Sequence, residues 1–188
     1  MKKFLIIILL LVIIGAAGII GYRLLDDKIP VSGKTLTSDD NKYSMEVPSS
    51  WNTADRPSSI CVLAAENRNS SMYAALSINS YVTDGVTIDD YISAYISDIA
   101  SNSDDPQQQK ITSAPQQATF GDNTGYYFEL LTEAGGIAVC TRNFCFATAD
   151  GYLHIDVVLP ENADADAQKT AENIIASVKY SADGNVSS

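Results

Sequence analysis

The chain has 188 residues and carries 23 acidic against 12 basic side chains, a formal net charge of −11. This length predicts one domain with room for a short additional segment. After Lys28 there are eight Lys or Arg against 21 Asp or Glu, a formal charge of −13. Such a surface repels phosphate backbones and anionic lipid headgroups, so the composition excludes nucleic acid as a partner.

Residues 1–22 predict an N-terminal membrane anchor. The run from 4 to 22 is apolar and has no charged side chain. As a helix with about 1.5 Å of rise per residue it spans about 28 Å, close to the hydrocarbon thickness of a bilayer. Lys2 and Lys3 should stay on the cytoplasmic side. These features predict a single-pass protein of a bacterial cell membrane, with its C-terminal domain outside the cytoplasm. A cleaved signal peptide is the alternative, because residues 16–18 are small, although the apolar run continues beyond them.

The rest of the chain divides into three parts. Residues 23–41 are polar and include Pro30 and Gly33, which predicts a short tether. Residues 42–180 carry the apolar patterns of a folded extracytoplasmic domain. Residues 181–188 predict a flexible tail.

The first half of the domain predicts short strands followed by a helix. Strands are expected at 43–47, 60–65 and 72–82, because apolar and β-branched residues alternate there between turn residues. The period then becomes helical at 88–101, where Thr87 is a suitable N-cap. Six apolar residues share one face of this helix and predict packing into a core: Ile88, Tyr91, Ile92, Tyr95, Ile96 and Ile99.

The second half predicts a sheet and a closing helix. Residues 101–117 are polar and contain two prolines, which indicates a loop or an irregular edge. Strands follow at 126–132, 137–148 and 152–159, and Asp150-Gly151 predicts a hairpin between the last two. A helix is expected from about Asn162 to Val178. In the strand at 152–159, alternation places four residues on one face, Leu153, Ile155, Val157 and Leu159, and three on the other, Tyr152, His154 and Asp156.

The element order predicts an α+β domain with an antiparallel β-sheet flanked by helices. Four segments resemble a known pattern: Tyr43-Ser-Met-Glu-Val-Pro48-Ser-Ser-Trp51, the helix at 88–101, the strand pair at 136–159, and Ile174-Ile175-Ala-Ser177-Val178. On these segments, roughly residues 35–180 resemble the Mog1/PsbP α/β/α sandwich family. The resemblance implies a sheet between helices and a role as an accessory or binding subunit. It implies no functional residue.

The three cysteines, Cys61, Cys140 and Cys145, leave two alternatives open. An oxidising compartment permits one disulfide and one remaining thiol, and buried inert thiols are the other possibility. If the resemblance holds and 136–148 is a single strand, Cys140 and Cys145 lie about 16 Å apart on opposite faces and cannot bridge. A turn at 141–143 would allow them to bridge. Otherwise a disulfide would involve Cys61.

The candidates for catalysis and metal binding are weak. His154 and Asp156 share a strand face, but no GxSxG nucleophile motif accompanies them. Residues 162–166 imitate the start of an EF-hand loop, yet Ala167 stands where that loop needs Gly, and Asn173 where it needs Glu. The acidic pairs at 89–90 and 104–105 indicate a helix start and a solvated loop. No catalytic, cofactor-binding or metal-binding residue is therefore assigned, and no cofactor is expected.

Function follows from these observations only as a class. The expected function is a membrane-tethered, extracytoplasmic, non-enzymatic binding or accessory module, attached through residues 4–22, with an envelope protein as its possible partner. An envelope hydrolase with dispersed catalytic residues is the first alternative, and a structural spacer is the second.

Overall fold

The computed structural model describes residues 33–79, 85–101, 108–134 and 136–186. The predicted anchor at 1–22 and the acidic pair at 104–105 lie outside these ranges. Within them, no helix has both the length and the apolar character needed to cross a membrane.

The described residues form ten strands and two helices. Their bounds are β1 Gly33–Thr37, β2 Tyr43–Pro48, β3 Asn52–Thr53, β4 Cys61–Asn67, β5 Met72–Asn79, α1 Ile88–Ser101, β6 Gln108–Phe120, β7 Asn123–Ala134, β8 Ile137–Thr148, β9 Gly151–Pro160, α2 Ala165–Ser177 and β10 Lys179–Tyr180.

Seven strands form one large antiparallel sheet in the order β3-β4-β5-β9-β8-β7-β6. The chain leaves β5 near the middle of the sheet, forms α1, and resumes at the far edge with β6. It then returns strand by strand until β9 pairs with β5. The predicted hairpin at Asp150-Gly151 is confirmed, because Thr148 of β8 pairs with Gly151 of β9.

A second antiparallel sheet has three strands in the order β1-β2-β10. It shares the larger core with α2 on one face of the large sheet. The alternating residues of β9 predicted to share a face, from Leu153 to Leu159, are all buried here. They meet Ile174 and Ile175 of α2, and Tyr43, Met45 and Val47 of β2 lie in the same core.

Helix α1 covers the opposite face. Ile92 is buried against Phe128 and Leu130 of β7, and the other five residues of the predicted apolar stripe pack around them. The two helices therefore lie on opposite faces of the sheet, and the prediction of an α+β antiparallel fold is confirmed.

Both helices begin at side-chain caps. Thr87 Oγ1 accepts a hydrogen bond from the Asp90 backbone N–H at 3.2 Å, and the Asp90 carboxylate accepts one from the Thr87 backbone N–H at 3.3 Å. This reciprocal pair is a capping box. Helix α2 begins after Asp164, whose Oδ1 accepts from the Ala167 N–H at 2.8 Å. The cap is thus two residues beyond the predicted Asn162.

The domain extends further at both ends than the sequence predicts. Residues 33–37, assigned to the tether, pair with β2 as strand β1. Residues 181–186, assigned to the tail, continue from β10, and the Val186 N–H donates to the Asn41 carbonyl at 3.2 Å. The tether prediction is wrong at 33–37, where apolar periodicity is weak and the segment is held by backbone pairing. The flexibility of the tail stays a prediction.

Strand β6 resolves the alternative left open for residues 101–117. From Gln108 onward the segment is an edge strand, with register shifts between Ile111 and Ser113 and between Ser113 and Gln116. Pro115 lies in the second shift, where a residue without an N–H interrupts no ladder bond.

Strands β7 and β8 approach closely at Gly125. A Cβ at this position would lie 2.1 Å from the Cys145 carbonyl oxygen and 2.8 Å from the Phe146 Cβ. Only glycine fits there without moving a strand of the sheet.

Candidate functional site

A buried polar cluster lies where α1 crosses β9 and β8. We define the polar cluster as Asn79, Tyr91, Cys145, His154 and Asp156. Strand pairing explains how they meet: His154 of β9 faces Cys145 of β8, and Asp156 is two residues further along the same face of β9. Tyr91 comes from the apolar stripe of α1.

A chain of hydrogen bonds runs through the cluster. The Asn79 Nδ2 donates to the Tyr91 hydroxyl oxygen at 3.1 Å, and that hydroxyl lies 2.7 Å from His154 Nε2. Because Tyr91 accepts from the amide, its own proton is available for Nε2, which favours the neutral tautomer protonated at Nδ1. Cys145 Sγ lies 3.4 Å from the same nitrogen.

The contact between Cys145 and His154 resembles a catalytic dyad in distance only. Burial lowers the pKa of His154 from 6.5 to about 4. Burial, followed by the charge of Asp156, raises the pKa of Cys145 from 9.0 to about 12. An activated dyad needs the opposite shifts, which favour thiolate and imidazolium. Both side chains are also closed to solvent, at 0% and 6% exposure, so this pair is a neutral part of the core.

His154 and Asp156 share a strand face, as predicted, but they do not form the pair of a catalytic triad. Among the hydrogen bonds of the described residues, those of the His154 ring go to Tyr91 and Cys145. Asp156 Oδ1 is sealed from solvent and has no hydrogen-bond partner. Burial raises the pKa of Asp156 from 3.8 to about 6. The carboxyl group is therefore the one member of the cluster with unmet bonding capacity.

Asp156 has a second unpartnered group beside it on the same face. Ala75 of β5 lies directly opposite Asp156, and Tyr73 lies two residues from Ala75, diagonal to Asp156. The Tyr73 hydroxyl is also buried without a partner. Both residues nevertheless keep part of their surface accessible. We call Tyr73, Ala75 and Asp156 the Asp156 patch.

A second set of buried charges lies on the α2 face and is structural. The Arg142 guanidinium contacts Glu129 of β7 at 3.4 Å and Glu172 of α2 at 3.2 Å. It also donates to the Gln168 carbonyl at 2.9 Å. These contacts join α2 to the sheet.

The other predicted candidates have structural roles. Asp164, in the imitation of an EF-hand loop, is the N-cap of α2, and Asp166 lies in its first turn. Asp89 accepts a hydrogen bond from the Tyr126 hydroxyl at 2.7 Å. In the parts of the chain that the structure describes, no group of three His, Cys, Asp or Glu side chains is placed to hold a metal ion.

The structure decides whether Cys140 and Cys145 are placed to form a disulfide. Residues 137–148 form the single strand β8, and Cys140 and Cys145 pair along it with β9 residues of opposite faces. All three cysteines, Cys61 included, are free thiols.

Three members of the polar cluster, Asn79, Tyr91 and Cys145, were not candidates from the sequence, although a signal for Cys145 was present. Once Thr148 pairs with Gly151 across the predicted hairpin, counting back along both strands places Cys145 opposite His154. Tyr91 had no such signal. It was assigned to the core, and only the path of α1 across the sheet brings its hydroxyl to the histidine.

No protein-family model matches the chain, and no curated protein matches it in sequence. Solved structures do match its fold. Cyanobacterial PsbP (CyanoP) from Synechocystis has a TM-score of 0.61 at 12% identity, over 82% of this chain and 96% of that one. The Ran-binding protein Mog1p of Saccharomyces cerevisiae has a TM-score of 0.53 at 9% identity, over 79% and 95%.

A protein of Bacteroides thetaiotaomicron has a TM-score of 0.57 at 17% identity and is matched over 82% of this chain. The chain spans about half the length of that protein, 50%. The likeness to the other two covers nearly their whole length. The described domain therefore has the Mog1/PsbP-like fold, as the sequence resemblance implies.

Proposed function

We propose that this protein is a non-enzymatic accessory or binding module, tethered to the outer face of a cell membrane, that engages an envelope protein. The observation that carries the proposal is the fold. It is shared with a protein described as Ran-binding and with cyanobacterial PsbP over most of their lengths. Fold alone does not define function, so the chemistry of the site must agree with it.

The chemistry of the polar cluster agrees with a binding role. A hydrolase of the Cys-His or Ser-His type needs an accessible nucleophile whose proton a neighbouring base can take. Here the thiol of Cys145 and the ring of His154 are closed to solvent, and their pKa shifts hold both in the neutral form. Tyr91 also occupies the ring nitrogen that a base would use.

The proposed location of the module is argued from the sequence. The apolar run at 4–22 has the length of a membrane span, and Lys2 and Lys3 favour a cytoplasmic N-terminus. The domain is described from Gly33. Only residues 23–32 then separate the proposed span from the first strand, so the domain would stay close to the membrane surface and to other envelope proteins there.

The test is in-cell crosslinking of the full-length protein, followed by purification from membranes and identification of captured proteins. The control is residues 1–32 fused to an unrelated acidic domain of similar size. We expect one envelope protein to be captured repeatedly by the full chain and not by the control. Identical capture lists for the two would contradict the proposal.

A second measurement separates binding from catalysis. The purified full chain is assayed on a panel of ester, glycoside and peptide substrates, beside the variant His154→Ala. We expect no turnover above the buffer rate for either protein. Turnover that disappears in the variant would show that the polar cluster is catalytic and would overturn the non-enzymatic assignment.

A further inference from the structure

We propose that the Asp156 patch binds an alkylammonium group, presented either by a free amine or by a lysine side chain. This inference deepens the proposed function and rests on it, since it names the ligand chemistry of one binding site on the module.

Two neighbouring groups of the patch have unmet hydrogen-bonding capacity. Asp156 Oδ1 and the Tyr73 hydroxyl are both buried and both lack a partner. They lie on neighbouring strands, on one face, one diagonal step apart. Leaving a buried carboxylate oxygen unbonded is costly, so such an atom is normally satisfied by protein, water or ligand. An ammonium group carries three donors, which can serve the carboxylate and the phenol oxygen together.

The charge at this site is also uncompensated. None of the ion pairs found among the described residues includes Asp156. Residues 80–84 and 102–107, on either side of α1 in the sequence, contain no Lys or Arg. Arg142 of β8 contacts α2 through its guanidinium, on the opposite face of the sheet. Two arginines lie on the β4 side of the patch: Arg56 acts on Cys61, and Arg68 is paired with Glu66, which lies opposite Tyr73. Burial is the one cause that shifts the pKa of Asp156, so neither arginine compensates its charge.

The surroundings suit an organic cation better than a metal ion. Calcium and magnesium need six or more oxygen ligands, most of them from several carboxylates or carbonyls. Within the described ranges no cluster of metal-binding side chains exists. Aromatic rings, by contrast, attract ammonium groups through their faces. Tyr91 and Tyr95 of α1 lie beside the cluster, each with its ring centroid 5.4 Å from that of His154. Ala75, opposite Asp156, is buried against Cys61 and Ala64, so the accessible surface of the patch lies at Tyr73 and Asp156.

The tyrosines, cysteines and histidine around Asp156 are neutral near pH 7, and Glu66, opposite Tyr73, is ion-paired with Arg68. The pH dependence of binding should therefore come mainly from Asp156. Burial is the main cause that raises the pKa of three tyrosines: Tyr73 of β5, to about 12, and Tyr91 and Tyr95 of α1. It likewise raises the pKa of two thiols, Cys61 of β4 and Cys145 of β8. Burial lowers the pKa of His154 to about 4. Affinity for an ammonium group should therefore fall as the pH drops through about 6, where Asp156 gains its proton.

The experiment is isothermal titration of the full chain, held in a non-ionic detergent, with butylammonium chloride at pH 7.5. Butanol is the neutral ligand control, and Nα-acetyl-lysine methylamide presents the same group on a peptide unit. We expect binding of butylammonium and none of butanol. Asp156→Asn should weaken it by about tenfold or more, since a charge-assisted hydrogen bond is lost. Tyr73→Phe should weaken it by about threefold to tenfold, because one hydrogen bond from the ammonium group to a neutral acceptor is lost.

The matched control variant is Asp98→Asn, which removes the same charge from the exposed face of α1. It should change the affinity less than about twofold, because exposed charges are screened. Tighter binding of the lysine compound would identify a protein as the source of the ammonium group, and tighter binding of butylammonium a free amine. Equal binding of butanol, or equal affinity in Asp156→Asn, would overturn the inference. A failed titration would leave the crosslinking result intact, so the two proposals fail separately.

Discussion

Asp156 should make the free protein less stable as the pH rises, and Asp156→Asn should remove this effect. Its pKa is 3.8 without burial and about 6 in the fold. The folded state therefore holds the proton more tightly than the unfolded chain. The stabilisation that this proton supplies is complete below pH 3.8 and is lost as the pH rises through 6.

The size of the effect follows from the shift. At about 1.4 kcal/mol per pH unit, a shift of this size corresponds to about 3 kcal/mol. Since Asp156 keeps part of its surface accessible, relaxation and water will reduce this to about 2 kcal/mol. The advantage of Asp156→Asn over the unchanged protein should thus grow by about 2 kcal/mol between pH 4 and pH 7.

Urea unfolding of the full chain, measured at several pH values, tests this prediction. Trp51 is the single tryptophan and is 2% exposed, so its fluorescence reports the loss of the larger core. His154 titrates in both proteins and cancels in the difference. Asp98→Asn serves as the control and should show a constant offset. A difference between Asp156→Asn and the unchanged protein that stays constant from pH 4 to pH 7 would refute the account of a buried, unpartnered carboxylate.

Three further substitutions test the frame around the site. Arg142→Ala should destabilise the domain by about 3 kcal/mol in urea unfolding, because two partly buried carboxylates lose their partner. The control Arg68→Ala, at an exposed ion pair, should cost under about 1 kcal/mol. Equal losses for the two variants would contradict the distinction between partly buried and exposed ion pairs. Asp164→Ala should cost about 1 kcal/mol through loss of the α2 cap, and Asp166→Ala clearly less; the reverse order would show that the capping bond is unimportant. Gly125→Ala should prevent folding or lower the melting temperature by more than about 10 °C, since its Cβ meets the backbone of the next strand at 2.1 Å. A melting temperature within 2 °C or so of the unchanged protein would show that the strands can separate there at little cost.

The sequence predicts the local part of this fold well and the non-local part poorly. The faces of β9 follow from alternation, and the hairpin at Asp150-Gly151 follows from turn chemistry, because both depend on neighbours in the chain. The pairing of β5 with β9 depends on chain closure around α1 and β6–β8, which no local pattern records. Strands as short as β3 and β10, two residues each, carry no periodicity at all.

The contrast between local and non-local information also explains which parts of the candidate site the sequence could predict. His154 and Asp156 could be placed on one face from sequence, since they are two residues apart in a strand. Whether they act as a triad depended on their partners. Tyr91 arrives from a helix 63 residues away in sequence and takes the histidine nitrogen. The unpartnered state of Asp156 is a property of the whole packing arrangement, so it could only be found once the elements were assembled.

The position of β2 has a consequence for how the chain can fold during synthesis. It lies between β1, its neighbour in sequence, and β10, and Glu46 bonds to Ser177 across 131 residues. The hairpin β1–β2 can form as soon as it emerges, yet one edge of β2 stays open until β10 is made. Completion of the larger core is therefore postponed until β10 has been made. A ribosome that stops shortly before Lys179 would release a chain with an open strand edge, and proteases or chaperones would recognise it.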